Sequence, residues 1–298
     1  MERAYTIDSS RNFITVVNHL NDLAQSGDYV FRGYGKQSEL LPGIIRDKDY
    51  TNLENRLLTD FERYGSNYFT ANTPIDFMSY AQHFGLPTRL LDFTFNPFIA
   101  LSFAIYNPKS SNYKDPDDKD YYYIRYASLS ENICVPVIPL NDDIYQSKFI
   151  QTDSLATKSM QCIDSVTDLF GGNILGRNIS SLTGFRGIDE IVDLQEKLRN
   201  QAILFVNPNQ SNQRIIMQQG LFMFPYTLDK KAHIDILNKN SRVVMIHKSH
   251  RDKLIKYLDT MGYNTFRLMP DLSSICQAIK RRAIDDRTEK SEQFKKNK

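Results

Sequence analysis

Apolar positions recur at helical spacing over residues 10–24, where Phe13, Val16, Val17, Leu20 and Leu23 fall on one face. Ser26, Gly27 and Asp28 break that pattern. Tyr29, Val30 and Phe31 then predict a short strand that ends at Arg32 and opens into a loop holding Gly33 and Gly35. A second helical pattern covers 53–69 through Leu53, Leu57, Phe61, Tyr64 and Tyr68. Pro74 at a first turn predicts a third helix running to about Phe84; Gly85 stops it and Pro87 forbids continuation. Residues 89–93 predict a buried strand, and Asn96-Pro97 starts a helix through Tyr106. The polar groups of 82–94 are thereby gathered at one helix-turn-strand junction.

Residues 107–120 read as a polar loop, and 121–126 and 133–138 as strands. From about 141 to 187 the pattern weakens around Gly171, Gly172 and Gly176, which predicts an insertion. Further on, 189–199, 212–219 (closed by Gly220), 249–261 (closed by Gly262) and 270–282 read as helices. Residues 202–206, 221–224 and 242–246 read as strands. The pattern divides the chain into an N-terminal helical segment (1–27), a main domain (28–282) interrupted at 141–187, and a polar tail (283–298). Helices and strands mix without a regular βαβ alternation, so the expected class is α+β.

Composition narrows the function without choosing it. Of 298 residues 41% are hydrophobic and the net charge is +2, so the chain can build a core and has no global field for nucleic acid. The small basic cluster Lys280-Arg281-Arg282 is what speaks for nucleic acid. Three scattered cysteines (Cys134, Cys162, Cys276) offer no CxxC pair, which predicts no metal and a reducing, cytoplasmic setting. The apolar run at 98–105 is too short to span a bilayer, and the first residues carry no secretory pattern. No glycine-rich dinucleotide fingerprint, Walker motif or HExxH is present.

Several stretches together resemble the FRG domain family. They are Val30-Phe31-Arg32-Gly33, the run from Ala81 to Asp92 (AQHFGLPTRLLD), Asn96-Pro97, and Arg214 with Gln218-Gln219-Gly220-Leu221-Phe222. Pro270-Asp271-Leu272 is similar to the family's closing element. The AQHFGLPTRLLD run is the specific part, and the ordered co-occurrence of the stretches carries the resemblance.

The resemblance implies a remote kinship with the ADP-ribosyltransferase fold, which cleaves NAD in a cleft between two small sheets. It implies that Arg32 contacts the nicotinamide ribose region, that Thr88 or Thr94 supplies a small hydroxyl, and that Gln219, beside Gln218, holds the ribose 2′-OH. A carboxylate is missing at that last position; an amide can hydrogen-bond a hydroxyl but cannot take its proton. Asp92 is then the nearest candidate base. Gly33, Tyr34, Gln82, His83, Arg89 and Arg214 complete the expected NAD-binding set, with Tyr34 stacking on a ring. The implied function is ADP-ribosyl transfer to an unknown macromolecular acceptor, or NAD cleavage, in a toxin-like or phage-defence effector. A nucleotide-sensing or protein-interaction module without chemistry is the alternative.

Each residue also has a structural reading. Arg32 can pair with Asp92 or Glu39, His83 can be a satisfied helix-end residue, and Gln219 can cap backbone groups. Arg89 can belong to a buried ion pair, while Gly85 and Pro87 can be turn chemistry alone.

Overall fold

The computed structural model describes residues 4–35, 37–50, 53–69, 74–106, 120–136, 201–208, 213–225, 227–272, 274–276, 278–280 and 283. The expected insertion at 141–187, the expected helix at 189–199 and nearly all of the polar tail lie outside them.

The fold is mixed α+β: one eight-stranded sheet flanked by helices. In chain order the strands are β1 (Ala4–Ile7), β2 (Tyr29–Tyr34), β3 (Leu91–Thr94), β4 (Tyr121–Ser128), β5 (Ile133–Pro136), β6 (Leu204–Asn207), β7 (Gly220–Phe224) and β8 (Arg242–His247). The helices are α1 (Phe13–Gln25), α2 (Gly43–Arg46), α3 (Glu54–Gly65), α4 (Pro74–His83), α5 (Pro97–Tyr106), α6 (Gln213–Gln218), α7 (Lys230–Asn240), α8 (Arg251–Thr260) and α9 (Thr265–Leu268). Local chemistry accounts for several boundaries. Asn12 accepts from Ile14 N–H at the start of α1, and Asp229 accepts from Ala232 N–H at the start of α7. Gly85, at φ +95°, carries the turn after α4.

The strand order is β1-β8-β4-β2-β3-β7-β6-β5. Period-two alternation sorts the side chains into three cores. On one face α1, α5 and α8 cover the first four strands, packing Val16, Leu20, Leu101 and Leu254 against Phe31, Ile124 and Val244. On the same face α3 and α4 cover β6 and β7, packing Leu58, Ile75 and Met78 against Val206, Phe222 and Phe224. The opposite face is continuous across both halves: Val30, Tyr34, Leu91, Phe93, Tyr123 and Met223 lie under Ile236 and Leu237 of α7.

The two halves meet at a weak seam. β2 and β4 pair over six residues and β3 and β7 over four, but β2 and β3 share the single pair Phe31↔Thr94. A cleft between two small sheets was expected; the strands instead form one eight-stranded sheet, nearly divided at this point.

Boundaries differ from expectation at several points. β2 runs on through Tyr34, so Arg32 and Gly33 sit within a strand whose β4 side stays paired. The strand expected at 89–93 is β3 at Leu91–Thr94, because the backbone N–H groups of Arg89 and Leu90 are held by side chains. The helix expected from residue 249 begins as a 3₁₀ turn, Lys248–His250, ahead of α8. β1 and α7 carry no expectation from the sequence, and β1 pairs in parallel with β8.

Candidate functional site

Arg32 stands at the seam. Continuing the Phe31↔Thr94 register would set Gly33 opposite Asp92, but the strands have parted there. The guanidinium fills the gap: its Nη1 donates to the Asp92 carbonyl at 2.6 Å, and Nε and Nη2 both donate to the Glu39 carbonyl, Nε at 3.2 Å. Its partners are therefore the backbone oxygens of the two residues whose carboxylates were expected. Burial pushes its pKa below the ordinary value; Asp92 opposes that, Arg46 adds to it, and Glu39 and Tyr34 oppose it.

The 3₁₀ turn Gln37–Leu40 closes over this arginine. The Glu39 carboxylate accepts from Gly35 N–H at 2.8 Å. His233, fully buried in α7, meets the Leu40 carbonyl through Nε2 at 2.9 Å, and since a carbonyl only accepts, Nε2 is the protonated nitrogen. Burial pushes the His233 pKa down, with Arg32 and Arg125 adding to that and the Leu40 bond opposing it. No sequence signal pointed to His233.

Asp92 occupies the opposite face, where the two helical layers part. Its neighbours Leu91 and Phe93 point into the α7 core, so alternation turns the Asp92 side chain outward, and it is exposed. Gln82, near the end of α4, donates from Nε2 to Asp92 Oδ1 at 2.8 Å. Thr88, 1% exposed, donates its hydroxyl to Gln82 Oε1 and accepts from Leu90 N–H at 3.2 Å. Three polar residues of the AQHFGLPTRLLD run thus form one chain of hydrogen bonds ending on a solvent-facing carboxylate.

Arg89, the fourth, points elsewhere. Its Nε lies 2.9 and 3.0 Å from the two oxygens of Glu54, its Nη2 bonds the same carboxylate, and its backbone N–H adds a bond of 3.2 Å. The guanidinium also sits over the Phe224 ring, 5.3 Å from its centroid. Glu54 is 5% exposed, so this is the buried ion pair of the structural reading, anchoring α3 to the junction. Nothing near Glu54 in the sequence marks it as Arg89's partner; the contact spans 35 residues.

The other expected site residues divide as follows. Tyr34, expected to stack on a ligand ring, is 1% exposed and already stacked on Tyr123 at 5.2 Å between centroids. Gly33 lies under α5: an added Cβ would come within 1.6 Å of the Ala100 carbonyl oxygen, so its lack of a side chain serves helix-sheet contact. Thr94 spends its hydroxyl on the Gln218 carbonyl at 2.7 Å and accepts from Asn96 N–H at 3.1 Å. Gln219, exposed at φ +46°, turns the chain from α6 into β7 and accepts from Phe95 N–H at 3.0 Å. Phe95 lies three residues beyond Asp92, about 10 Å along an extended chain; the structure does not bring Gln219 and Asp92 together.

His83 forms a second polar group with Arg214 and Asp271. Its Nδ1 is buried without a hydrogen-bond partner, burial pushes its pKa down, Arg214 adds to that, and Asp271 opposes it. Burial would raise the Asp271 pKa, but hydrogen bonds from Ser274, with Arg214 and His83 nearby, hold it below the usual carboxylate range. Gln218, 8% exposed, fastens α6 to α9 by donating to the Leu268 carbonyl at 2.8 Å. Among the described residues, no cluster of three or more His, Cys, Asp or Glu could hold a metal ion, and no helix is long and apolar enough to cross a membrane.

Residues 27–113 match the FRG domain family, a span that holds β2, the Arg32 seam, the Gln82–Thr88–Asp92 chain and α5. No curated protein and no solved structure matches the chain.

Proposed function

We propose that the seam takes NAD as a substrate and transfers its ADP-ribosyl group to a macromolecular acceptor or to water, with Asp92 as the reacting carboxylate. One observation carries this reading: the sheet opens at Phe31↔Thr94, and an exposed carboxylate held by Gln82 stands beside the opening. The ADP-ribosyltransferase kinship implied by the FRG resemblance supports it, since that fold cleaves NAD in a cleft between two small sheets. In the step envisaged, the bond from ribose C1′ to the nicotinamide nitrogen breaks and its electron pair leaves with nicotinamide, which departs neutral. A lone pair of the acceptor forms the new bond to C1′, and the proton it sheds passes to Asp92. An anionic oxygen beside an oxocarbenium-like carbon also lowers the barrier electrostatically.

The test is nicotinamide release from NAD by purified protein, with cell extract supplying acceptors. Asp92→Asn, which keeps shape and removes the base, lowers turnover at least tenfold, about 1.4 kcal/mol of transition-state stabilisation. The thermal shift given by NAD persists in this variant. Turnover unchanged in Asp92→Asn would take the reaction away from this residue.

A different observation favours a module without chemistry. Arg32 already donates from each of its three nitrogens to the carbonyls of Glu39 and Asp92, and the hydroxyls of Thr88 and Thr94 are spent on internal bonds. In that reading the seam senses a nucleotide or docks a protein. A thermal shift with NAD but no nicotinamide release from wild type, with or without extract, selects it.

A further inference from the structure

We infer that Thr88 and Gln82 are positioning residues that hold Asp92 as a hydrogen-bond acceptor, an inference resting on the reading of Asp92 as the reacting carboxylate. The direction of each bond follows from the one before it. Leu90 N–H can only donate, so Thr88 Oγ1 accepts there, at 3.2 Å. The hydroxyl's own proton then goes to Gln82, whose facing atom must be the carbonyl oxygen Oε1. That choice turns the amide nitrogen toward Asp92, where Nε2 donates at 2.8 Å to Oδ1. The backbone of residue 90 thus sets which way an amide on α4 faces. Oδ1 of Asp92 receives a donor and Oδ2 is left for a proton arriving from outside.

The spacing within the AQHFGLPTRLLD run follows from this geometry. Gln82 needs the last turn of α4 to reach β3, and the bend at Gly85, φ +95°, returns the chain so that Thr88 meets Gln82. Thr88 is 1% exposed and touches no ligand surface, so it acts only through Gln82. Without the hydroxyl, Gln82 Oε1 loses its donor, and the bond to Asp92 alone is left to hold the amide in place.

Two measurements test this, and only one needs NAD. With glutamine labelled in 15N, the Gln82 side-chain amide is assigned by its loss in Gln82→Ala, and its proton exchange with water is followed. Thr88→Val and Asp92→Ala speed that exchange at least tenfold, whereas Thr88→Ser, which keeps the hydroxyl, stays within twofold. In the NAD assay Thr88→Val and Gln82→Met lower kcat at least tenfold with KM within threefold, and Thr88→Ser restores kcat. Gln82→Met leaves the buried Thr88 in place, so it decides the kinetic question if Thr88→Val does not fold. Exchange indifferent to Thr88→Val in a folded protein overturns the inference, as does Thr88→Ser behaving like Thr88→Val. If wild type releases no nicotinamide, the proposed reaction falls and the exchange measurement alone decides the positioning claim.

Discussion

Replacing Gly33 with alanine tests whether the glycine after Arg32 serves packing or a ligand. The new Cβ would lie 1.6 Å from the Ala100 carbonyl oxygen, 2.5 Å from its carbon and 3.1 Å from Ala104 N. Ordinary contact begins near 3.4 Å, so α5 must move off β2 by about 1.8 Å. No flexible side chain can yield, because every one of those atoms is backbone. The helix cannot move alone either: Ala100, Leu101, Ala104 and Ile105 pack with Phe31, Ile124 and Val16 in one core. Overpacking usually costs about 1–3 kcal/mol where neighbours can repack. Displacing a whole helix from a sheet belongs with the exceptional losses, so we expect at least about 4 kcal/mol. Urea denaturation gives the number, with Gly220→Ala as control, since a Cβ there comes no nearer than 3.6 Å and should shift stability by less than about 1 kcal/mol. A Gly33→Ala protein as stable as wild type would refute the packing account and return this glycine to the list of ligand contacts.

Two further predictions concern buried charge. Glu54→Gln leaves the Arg89 guanidinium without its counter-ion in a site where Glu54 is 5% exposed; we expect a loss of about 3–5 kcal/mol by urea midpoint, and a loss under 1 kcal/mol would contradict a buried pair. His233 has a folded-state pKa below its ordinary value of 6.5, so as pH falls through that value the unfolded chain binds the proton first. Its contribution is therefore full above about pH 6.5 and declines toward the folded pKa, by at most about 1.4 kcal/mol per pH unit. His233→Gln, which can still donate to the Leu40 carbonyl, should flatten the stability-pH curve below pH 6.5, and a curve as steep as wild type would remove His233 as its source.

What the sequence disclosed and what it withheld follow one physical division. Helix α1 was readable because Val16, Val17 and Leu20 share a face over a long stretch, and α4 and α5 because Pro74 and Pro97 mark their first turns. β2, β3 and β7 were found from short apolar runs, though their ends shifted. β1 was missed because four residues with one buried side chain show no periodicity; its partner β8 lies more than 230 residues away. α7 was missed because its buried residues His233, Ile236 and Leu237 are few among charged ones. The site followed the same rule. Gln82, Thr88 and Asp92 sit within ten residues of one another, and their resemblance to a known motif brought them forward together. The partners of Arg89 and Tyr34 are set by tertiary contacts that nothing local marks, and for Arg32 the two residues were named but not that their backbone carbonyls are the acceptors.

The seam explains why so many of the motif's side chains bond to backbone. Where two strands part, their N–H and C=O groups lose ladder partners, and a buried one left unpaired costs free energy comparable to a lost hydrogen bond. Side chains answer for several of these groups here. Arg32 takes the carbonyls of Asp92 and Glu39, Glu39 takes Gly35 N–H, and Thr88 takes Leu90 N–H. Beyond the strand, the start of α5 is answered in the same way: Thr94 takes Asn96 N–H, and Asn96 Oδ1 takes Phe98 N–H at 2.9 Å. The FRG triplet and the residues from Gln82 to Asn96 are thus, first, what allows a sheet to be open at its centre. An open sheet with satisfied edges is also what a ligand site at this position would require, so the structural and functional readings of Arg32 are not rivals in kind. Three of the five guanidinium N–H groups are used on the Glu39 and Asp92 carbonyls, so a ligand can take the remaining two with the 3₁₀ turn Gln37–Leu40 in place. Only a ligand that claims the whole guanidinium has to displace the Glu39 carbonyl.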